Sequence, residues 1–581
     1  MRTVKSPYRV ATARLKRTFL LVGVFSAIVN ILMLTGPMFM LQVYDRVLSS
    51  GSIATLQGLF IIVVVCYGFL GLYDFLRTRL LSRAAYRLDQ DVGKYAFDAW
   101  VRSGLSNDLG TQRPLVDLSV LRGFLASPAM LGFFDLPWIP LYLAVVFFVH
   151  PWLGWLALAG AIVVVVAALL NQWATHRHFA RAMGMDGAEA AFVEQSHRTG
   201  EALVPLGMLQ KVRSHWQSMH ARSLATGQVG GDRAEGFAAF SKSFRLLLQS
   251  SLLGLGGYLA LQQEISAGMI VAASIIAGRA LAPIDQVIGQ WRNVVRSREA
   301  HRRLGEALSG SAAPEKRTSL PDPKGHLDVS GVTKFPPGLG HRGDVPPMLQ
   351  NLSFSLEPGD GLGVIGPSAS GKTTLARILV GAWQPDAGEV RLDGATLSQW
   401  EPDQLGRFIG YLPQSMELLA GTIRDNICRF SPDAEDAAIV QAAQMAGVHE
   451  MILQLADGYE TRLDYGVPPL SGGQMQRVGL ARAVYGLPKL VILDEPNANL
   501  DATGDEALAS AIAGLREAGS VVIVMAHRPS AIAAVNKLMV LNSGKVADFG
   551  EKAEVLRRAT RPTSGQSQTA QSKEQSIDRT G

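Results

Sequence analysis

Cysteine and charge are both scarce in this chain. Only two cysteines, Cys66 and Cys428, occur among 581 residues. This number excludes a disulfide framework and favours a reducing compartment for the soluble part. No spacing of histidines and cysteines indicates a metal site. Charged residues make up 18% of the chain, against about a quarter in an average soluble protein, and the mean hydropathy is +0.17. Together these values favour a membrane protein with more than one domain.

Long apolar runs fill the first half of the chain. Each is close to the about 20 residues that a helix needs to cross a bilayer. The six runs are residues 19–44, 53–76, 131–149, 152–170, 246–262 and 269–288. The first run is longer than a signal-peptide core and no small-residue cleavage pattern follows it, so we interpret it as an uncleaved first span.

Basic residues flank these runs on one side. They precede the first span and follow spans two, four and six: Arg9, Arg14, Lys16, Arg17, Arg77, Arg79, Arg83, Arg87, Arg177, Arg181, Arg292, Arg296 and Arg298. The short loops of the other side have one clear cation, Arg46. The positive-inside rule therefore predicts that both termini are cytoplasmic.

Composition divides the chain into five segments. We expect a basic cytoplasmic N-terminus (1–18), a six-span helical membrane domain (19–305), a Pro-rich linker (306–326), an α/β domain with a largely parallel sheet (327–556) and a disordered polar tail (557–581). The polar segments 82–130 and 171–245 carry helical patterns, which favour spans that extend into the cytoplasm. Two independent cytoplasmic loops are the alternative.

A phosphate-binding pattern follows an apolar strand in the α/β domain. Residues 362–379 read LGVIGPSASGKTTLARIL, a strand, then G-x-x-x-x-G-K-T, then a helix. Glycines allow main-chain N–H groups to approach phosphates, and the helix N-terminus adds positive potential. Lys372 is expected to reach the β- and γ-phosphates and the Thr373 hydroxyl to bind Mg²⁺.

Two further strands end in polar side chains. The sequence KLVILDEP predicts that Asp494 and Glu495 lie at the carboxyl edge of a parallel sheet, where ligands bind in such folds. Asp494 is suited to hold Mg²⁺, and Glu495 to accept a proton from the attacking water or to orient it. His527, at the end of VVIVMAH, is placed to contact the γ-phosphate.

These motifs together resemble the P-loop ATPase domain of ABC transporters, which has a helical subdomain, and the resemblance covers residues 327–556. It implies ATP and Mg²⁺ as cofactors, Glu495, His527 and Lys372 as catalytic residues, and Gln414 in the Q-loop as a further metal ligand beside Thr373 and Asp494. The implied ATP-binding residues are Gly366, Pro367, Ser368, Ala369, Ser370, Gly371, Lys372, Thr373, Thr374, Gln414, Ser471, Gly472, Gly473, Gln474 and Asp501.

The octapeptide LSGGQMQR, residues 470–477, resembles the signature of that family. In ABC transporters the signature closes on the ATP held by a second ATPase domain. This chain carries one such domain, so the resemblance implies a homodimer with two shared ATP sites. The family also stacks an aromatic residue on adenine. Phe335 is the nearest candidate, although an ordinary core phenylalanine is an equal reading and the insertion 338–347 obscures the alignment.

Six spans before one ATPase domain is the exporter arrangement. The stretches MLTGPMFMLQVYDRVLSSGSIATL, FFDLPWIPLYLAVVFFVHPWLGWLA and GRALAPIDQVIGQWR resemble the PrtD-type inner-membrane component of bacterial type I secretion systems. That resemblance implies ATP-driven export of unfolded proteins with C-terminal signals across the bacterial inner membrane. It also implies a periplasmic adaptor and a TolC-like outer-membrane channel as partners.

Three alternatives compete with protein secretion. A lipid or drug flippase shares the architecture and is the leading rival. A soluble ABC-type ATPase that binds nucleic acid is disfavoured by the six spans, whose topology already explains the basic residues, so we expect membrane lipid and no nucleic acid as a partner. An importer is disfavoured because importers usually keep spans and ATPase on separate chains.

Charges also occur within the predicted spans. Arg279 falls about midway along span six, where an unpaired charge is expensive. We hypothesise that it faces a polar translocation path together with Asp285. A structural ion pair between helices is the alternative. Asp74 and Asp135 are expected to mark the cytoplasmic interface.

Overall fold

The computed structural model describes residues 6–105, 113–309, 319–337, 345–463 and 470–560. The chain forms two compact units, Met1–Glu315 and Lys316–Gly581. The linker residues 310–318, part of the insertion (338–344) and the tail residues 561–581 lie outside the described residues.

The first unit is all helical. Its helices are α1 Pro7–Leu32, α2 Thr35–Gln42, α3 Leu48–Ser50, α4 Ile53–Ser103, α5 Pro114–Leu125, α6 Pro128–Asp135, α7 Ile139–Val149, α8 Pro151–Arg198, α9 Gly200–Leu203, α10 Leu209–Leu261, α11 Ala267–Gly289 and α12 Trp291–Ala307. A π-helical turn, Val43–Val47, joins α2 to α3, and a 3₁₀ turn, Leu136–Trp138, joins α6 to α7. Within the described residues, six helical segments are long and apolar enough to cross a membrane.

Three of these helices are much longer than a bilayer is thick. Helix α4 has 51 residues, which at 1.5 Å per residue is about 76 Å, against a hydrocarbon core of about 30 Å. Helices α8 and α10 have 48 and 53 residues. Helix α4 runs without a break to Ser103, and α8 and α10 cover residues 171–198 and 209–245, so these polar stretches continue the apolar ones as helix.

The extensions pack as a soluble bundle does. In α4, Phe60 and Ile61 are exposed, as on a lipid-facing surface, whereas Leu81 and Leu88 further along the same helix are buried. Leu88 belongs to a cluster formed by α1, α4, α5 and α12. The helix therefore changes from a lipid-facing to a core-facing pattern along its length.

The segment boundaries differ from those expected. Helix α1 begins at Pro7, before the expected first span at residue 19, because Tyr8, Ala11 and Leu15 are buried in the cluster just described. Helix α12 runs to Ala307, into the expected linker, because Leu304 and Leu308 are buried there.

The second unit contains a mixed set of strands and helices. Its helices are α13 Lys372–Leu379, α14 Pro402–Phe408, α15 Ile423–Ile427, α16 Asp436–Met445, α17 His449–Leu453, α18 Gly472–Val484, α19 Ala502–Glu517 and α20 Lys552–Thr560. Its strands are β1 Leu327–Lys334, β2 Leu349–Leu356, β3 Gly361–Ile365, β4 Ala387–Leu392, β5 Ala395–Thr396, β6 Ile409–Leu412, β7 Gly421–Thr422, β8 Arg462–Leu463, β9 Leu490–Asp494, β10 Val521–Met525, β11 Lys537–Asn542 and β12 Lys545–Glu551.

A six-stranded sheet forms the centre of this unit, in the order β12-β11-β3-β10-β9-β6. All neighbours are parallel except the β11–β12 hairpin. Strands β9 and β10 are buried at every residue, as expected of parallel strands covered on both faces. Their alternate residues contribute to two hydrophobic clusters, one on each face.

The end of this unit also differs from the expectation. The domain was expected to end at residue 556, with a disordered tail from 557, but helix α20 continues to Thr560. Val555 of this helix is fully buried in the cluster that covers one face of the sheet, which anchors the helix.

Candidate functional site

The glycine-rich loop joins β3 to α13 and is closely packed. A Cβ added at Gly366 would lie 2.1 Å from the Leu541 carbonyl oxygen, so no other residue fits there. Gly371 has a φ of +104°, a conformation that glycine adopts without strain. Helix α13 begins immediately afterwards at Lys372, and its first N–H groups lack helical acceptors. The loop and the helix start together provide main-chain donors for an anion.

The side chain of Lys372, the first residue of α13, is buried against this loop. Its Nζ donates to the carbonyl oxygens of Gly366 at 2.8 Å and Pro367 at 3.0 Å. Burial lowers the pKa of the Lys372 amine, and the charges of Glu495 and Asp494 only partly oppose that shift. A cation that is incompletely compensated in this way favours an added anion such as phosphate.

Asp494, the last residue of β9, is an uncompensated acid. Its side chain is fully buried, and neither carboxylate oxygen has a hydrogen-bond partner among the described residues. Burial raises the pKa of this carboxyl; the Thr373 hydroxyl next to it opposes the shift, without forming a regular hydrogen bond. A buried, unsatisfied carboxylate beside a hydroxyl is a donor set that Mg²⁺ accepts.

Glu495 is held from two sides. Its Oε2 accepts a hydrogen bond from Gln414 Nε2 at 3.0 Å, and its Oε1 lies 3.1 Å from His527 Nε2. Glu495 also has a φ of +51°, which is uncommon for a residue with a side chain and turns the chain sharply after β9. Three residues that the sequence predicted separately are therefore in direct contact.

One cavity of about 330 Å³ connects these residues. It is lined by Met348, residues 368–374, Gln414, Glu495 and His527. The structure thus brings together most of the predicted phosphate loop and the Q-loop glutamine. All three predicted catalytic residues, Lys372, Glu495 and His527, line the cavity.

The signature residues lie outside that lining. Ser471 instead caps α18: its main-chain N–H donates to Gln474 Oε1 at 2.7 Å, and its Oγ accepts from the Gln474 N–H at 3.3 Å. Asp501 caps α19 in the same way, accepting from the Gly504 N–H at 2.9 Å, and that hydrogen bond holds the pKa of the Asp501 carboxyl below its usual value.

The two signature glycines have different surroundings. A Cβ added at Gly473 would lie 2.7 Å from the Asn499 carbonyl oxygen, so packing within the chain requires glycine there. A Cβ added at Gly472 would meet nothing within 4 Å. Packing within this chain therefore explains why residue 473 is glycine, whereas it places no such restriction on residue 472.

Sequence reasoning missed two residues that hold the signature helix. Gln476 is buried, and its Nε2 donates to the carbonyl oxygens of Pro496 at 2.6 Å and Glu495 at 3.3 Å. The side chain of Arg429 donates to the carbonyl oxygens of Arg482 at 3.0 Å and Ala483 at 3.2 Å, at the end of α18. Gln476 lies within the octapeptide LSGGQMQR, whereas no sequence signal marks Arg429.

The prediction for adenine is not supported by the cavity. Phe335 is absent from the lining, and its main-chain N–H donates to Asp386 Oδ2 at 2.7 Å. Met348 is the large apolar side chain in the lining.

The first unit buries a polar cluster at the predicted interface. Arg77 and Asp135 are both buried and form an ion pair at 2.7 Å, and Asn30 Nδ2 donates to the same Asp135 oxygen at 2.8 Å. Asp135 is therefore paired inside the helical unit, and Arg77, which also pairs with Asp74 at 2.8 Å, is a paired charge rather than part of an exposed basic flank. The cause is the packing of α1, α4 and α6 around these residues.

Comparisons with known proteins agree with this site. The ABC transporter family model matches residues 349–498. The chain is 41% identical over 558 residues to the type I secretion system ATP-binding protein PrsD of Rhizobium meliloti (strain 1021), covering 96% of this chain and 95% of that protein.

More distant relatives extend the comparison. The leukotoxin translocation ATP-binding protein LktB of Mannheimia haemolytica is 25% identical over 559 residues, which cover 94% of this chain and 78% of that protein. The structure of a bacterial Atm1-family ABC exporter with ATP bound has a TM-score of 0.77 at 20% identity, covering 98% of this chain and 100% of that one. This last likeness shows the fold, an ABC exporter fold with six apolar helical segments before an α/β ATPase domain.

Proposed function

Because the chain belongs to the type I secretion ATP-binding proteins, a family of ABC transporters, we propose that it exports unfolded proteins with C-terminal signals across the bacterial inner membrane. It is a multi-pass membrane protein and an ATP hydrolase coupled to transport. The observation that carries the proposal is one cavity that gathers the phosphate loop, Gln414, Glu495 and His527, in a chain that also has six apolar spans.

The polar residues of the cavity have distinct roles in this mechanism. The loop amides and Lys372 bind the β- and γ-phosphates of ATP and offset their charge. Glu495, positioned between Gln414 and His527, accepts a proton from the attacking water or orients it. His527 would donate a hydrogen bond to the γ-phosphate.

Mg²⁺ is assigned to Thr373, Asp494 and Gln414. The unsatisfied carboxylate of Asp494 supports this assignment most directly. When bound there, Mg²⁺ would supply positive charge that offsets the charge developing on the phosphate. Among the described residues, no group of three or more histidine, cysteine, aspartate or glutamate side chains could hold a metal ion.

The active form in this proposal is a homodimer. Ser471, Gly472, Gly473 and Gln474 lie outside the lining of their own chain's cavity, and the space around Gly472 is open. These two observations support closure of the signature on ATP held by a second copy, with Asp501 beside it. A shared site makes ATP binding and dimer closure one event.

The remaining parts of the proposal concern the cell. Both termini and the ATPase domain are assigned to the cytoplasm, which the distribution of basic residues supports. A periplasmic adaptor and a TolC-like outer-membrane channel would complete the export path, with membrane lipid around the spans.

Deletion of the gene in its bacterium, followed by comparison of the secreted proteins, tests the function. We expect loss of one or more proteins with C-terminal signals, restored by the wild-type gene and by the Glu517→Gln control, whose exposed residue undergoes the same chemical change. Glu495→Gln should bind ATP without restoring secretion, because the water is no longer activated. An unchanged set of secreted proteins together with altered membrane lipids would instead establish the flippase alternative.

A further inference from the structure

Helix α11 is the innermost of the six spans in the described part of the chain. In its most apolar window 56% of the residues are buried, against 6–39% in the others. Half-buried and exposed residues recur along it at spacings of three and four and form one open face: Val271, Ile275, Gly278, Ala282, Asp285 and Gly289. Because the rest of α11 packs against other helices of the unit, this face is the part of the span left for another molecule.

Arg279 lies beside that face, about midway along α11. Ala267 is 12 residues before it and Gly289 is 10 residues after it, distances of about 18 and 15 Å along the helix. Its side chain is only half-buried, and among the described residues we find no ion pair or hydrogen bond to it. A guanidinium without a partner at this depth is costly.

Two other charges of the spanning helices, Asp285 and Arg77, have partners. Asp285, which the sequence grouped with Arg279, instead pairs with Arg245 of α10 at 3.0 Å and accepts from Ser241 Oγ at 2.6 Å. Arg77 pairs with Asp135. The structural ion-pair alternative therefore describes Asp285 and does not describe Arg279.

The main chain at Arg279 is also polar. Pro283 lies within α11 and has no N–H, so the Arg279 carbonyl lacks its usual helical donor four residues on. A Cβ added at Gly278 meets nothing within 4 Å, so open space adjoins this point of the helix. Residue 279 thus presents a cation without an ion pair and a carbonyl without its usual helical donor, and the neighbouring Gly278 adjoins open space.

We propose that Arg279 binds the carboxylate groups of the polypeptide during its passage along α11, an inference that rests on the proposed export of proteins. Guanidinium matches carboxylate with two parallel hydrogen bonds and stays charged at all relevant pH values. Lipid phosphates lie at the membrane surfaces, roughly 15 Å from the middle of the hydrocarbon core, so a headgroup is the wrong depth for this residue. Arg279 therefore gives the transporter a preference for acidic segments.

Peptide binding to the full-length transporter in lipid nanodiscs tests this preference. The probes are two fluorescent, unstructured Gly-Ser peptides with amidated C-termini, one with regularly spaced Asp and its twin with Asn. The wild type should bind the Asp peptide about tenfold more tightly, as one charge-assisted contact predicts. Arg279→Gln should bind both equally, and Arg279→Lys, which keeps the charge without the two parallel bonds, should retain part of the preference.

The control is Arg298→Gln, which removes one charge from an exposed position on α12 and should keep the full preference. The ratio of the two affinities is internal to each variant, so a small loss of stability does not affect it. Three results would overturn the proposed role of Arg279 without contradicting protein export. They are equal binding of the two peptides by the wild type, a preference that survives Arg279→Gln, and equal losses of preference in Arg279→Gln and Arg298→Gln. Failure of the wild type to bind either peptide would count against protein export as well.

Discussion

Asp494 is a residue whose surroundings disfavour its own charge. Its carboxylate is fully buried with both oxygens unpaired, and burial raises its pKa. A carboxylate in such a position destabilises the ATP-free protein. Residues of this kind are typical of sites that become satisfied only when a ligand binds.

We therefore predict that Asp494→Asn raises the melting temperature of the nucleotide-free transporter and removes the further rise that Mg²⁺ and ATP produce together. Above the raised pKa the ionised carboxylate of the wild type costs stability, and that cost disappears as the pH falls through this pKa. The difference between variant and wild type should thus be largest at neutral pH and shrink in acid. Thermal unfolding over a pH series measures it.

The matched control is Asp433→Asn, in an exposed loop, which should change neither quantity. A lower melting temperature for nucleotide-free Asp494→Asn would contradict the assignment, because it would show that the carboxylate is compensated within the chain.

At the scale of elements, helix α18 is fixed at one end and open at the other. Arg429 donates to carbonyl oxygens at its C-terminal end and also to Gly406 at 2.6 Å and Ile409 at 3.0 Å. Burial lowers the pKa of Arg429 to about 10, so it remains charged at neutral pH. A cation at a helix C-terminus is stabilising. The N-terminal end, with exposed Ser471 and Gly472, is left to face another molecule.

The two signature glycines give a matched pair of variants. Gly473→Ala should lower the melting temperature, because its Cβ would lie 2.7 Å from the Asn499 carbonyl. Gly472→Ala has free space and replaces a poor helix former, so the fold should keep or gain stability, by up to about 1 kcal/mol. The rate of ATP hydrolysis by Gly472→Ala should nevertheless fall sharply, because the added methyl group obstructs the approach of the γ-phosphate of ATP bound to the second chain.

Thermal unfolding and steady-state ATPase assays distinguish these outcomes. Full hydrolysis in Gly472→Ala would mean that the open space is ordinary surface and that the signature has no partner there.

At the scale of the whole molecule, the scarcity of cysteine allows a direct test of the shared site. Cys66 and Cys428 can be replaced by alanine, and two differently tagged chains then carry Ser368→Cys or Gly472→Cys. If the signature of one chain meets the phosphate loop of the other, an oxidant should join the two tagged chains in one covalent dimer. Cross-linking should be most efficient with ATP in a Glu495→Gln background, because hydrolysis does not reopen that dimer.

Asp433→Cys replaces Gly472→Cys in the control and should not cross-link to Ser368→Cys. A chain that carries both test cysteines and closes only onto itself would contradict the dimer, because it would place the signature at its own phosphate loop.

The sequence by itself determined the features that consecutive residues encode. The phosphate loop, with its strand before and helix after, the six apolar runs and the strand ending in Asp494 and Glu495 are contiguous patterns, and the fold class followed from them. Segment ends were less accurate, since helices α1, α12 and α20 extend past the expected limits, where a few buried side chains outweigh a polar composition.

Only the tertiary structure decided which groups have partners. Gln414 and Glu495 are 81 residues apart and share a hydrogen bond; Arg77 and Asp135 are 58 apart and share a buried ion pair. Phe335, chosen from its place in the sequence, does not line the cavity, and Arg429 carried no signal. Burial and pairing depend on contacts between distant segments, which local patterns do not contain. For the same reason, the unsatisfied charges of Asp494 and Arg279 could be recognised only after folding had paired their neighbours.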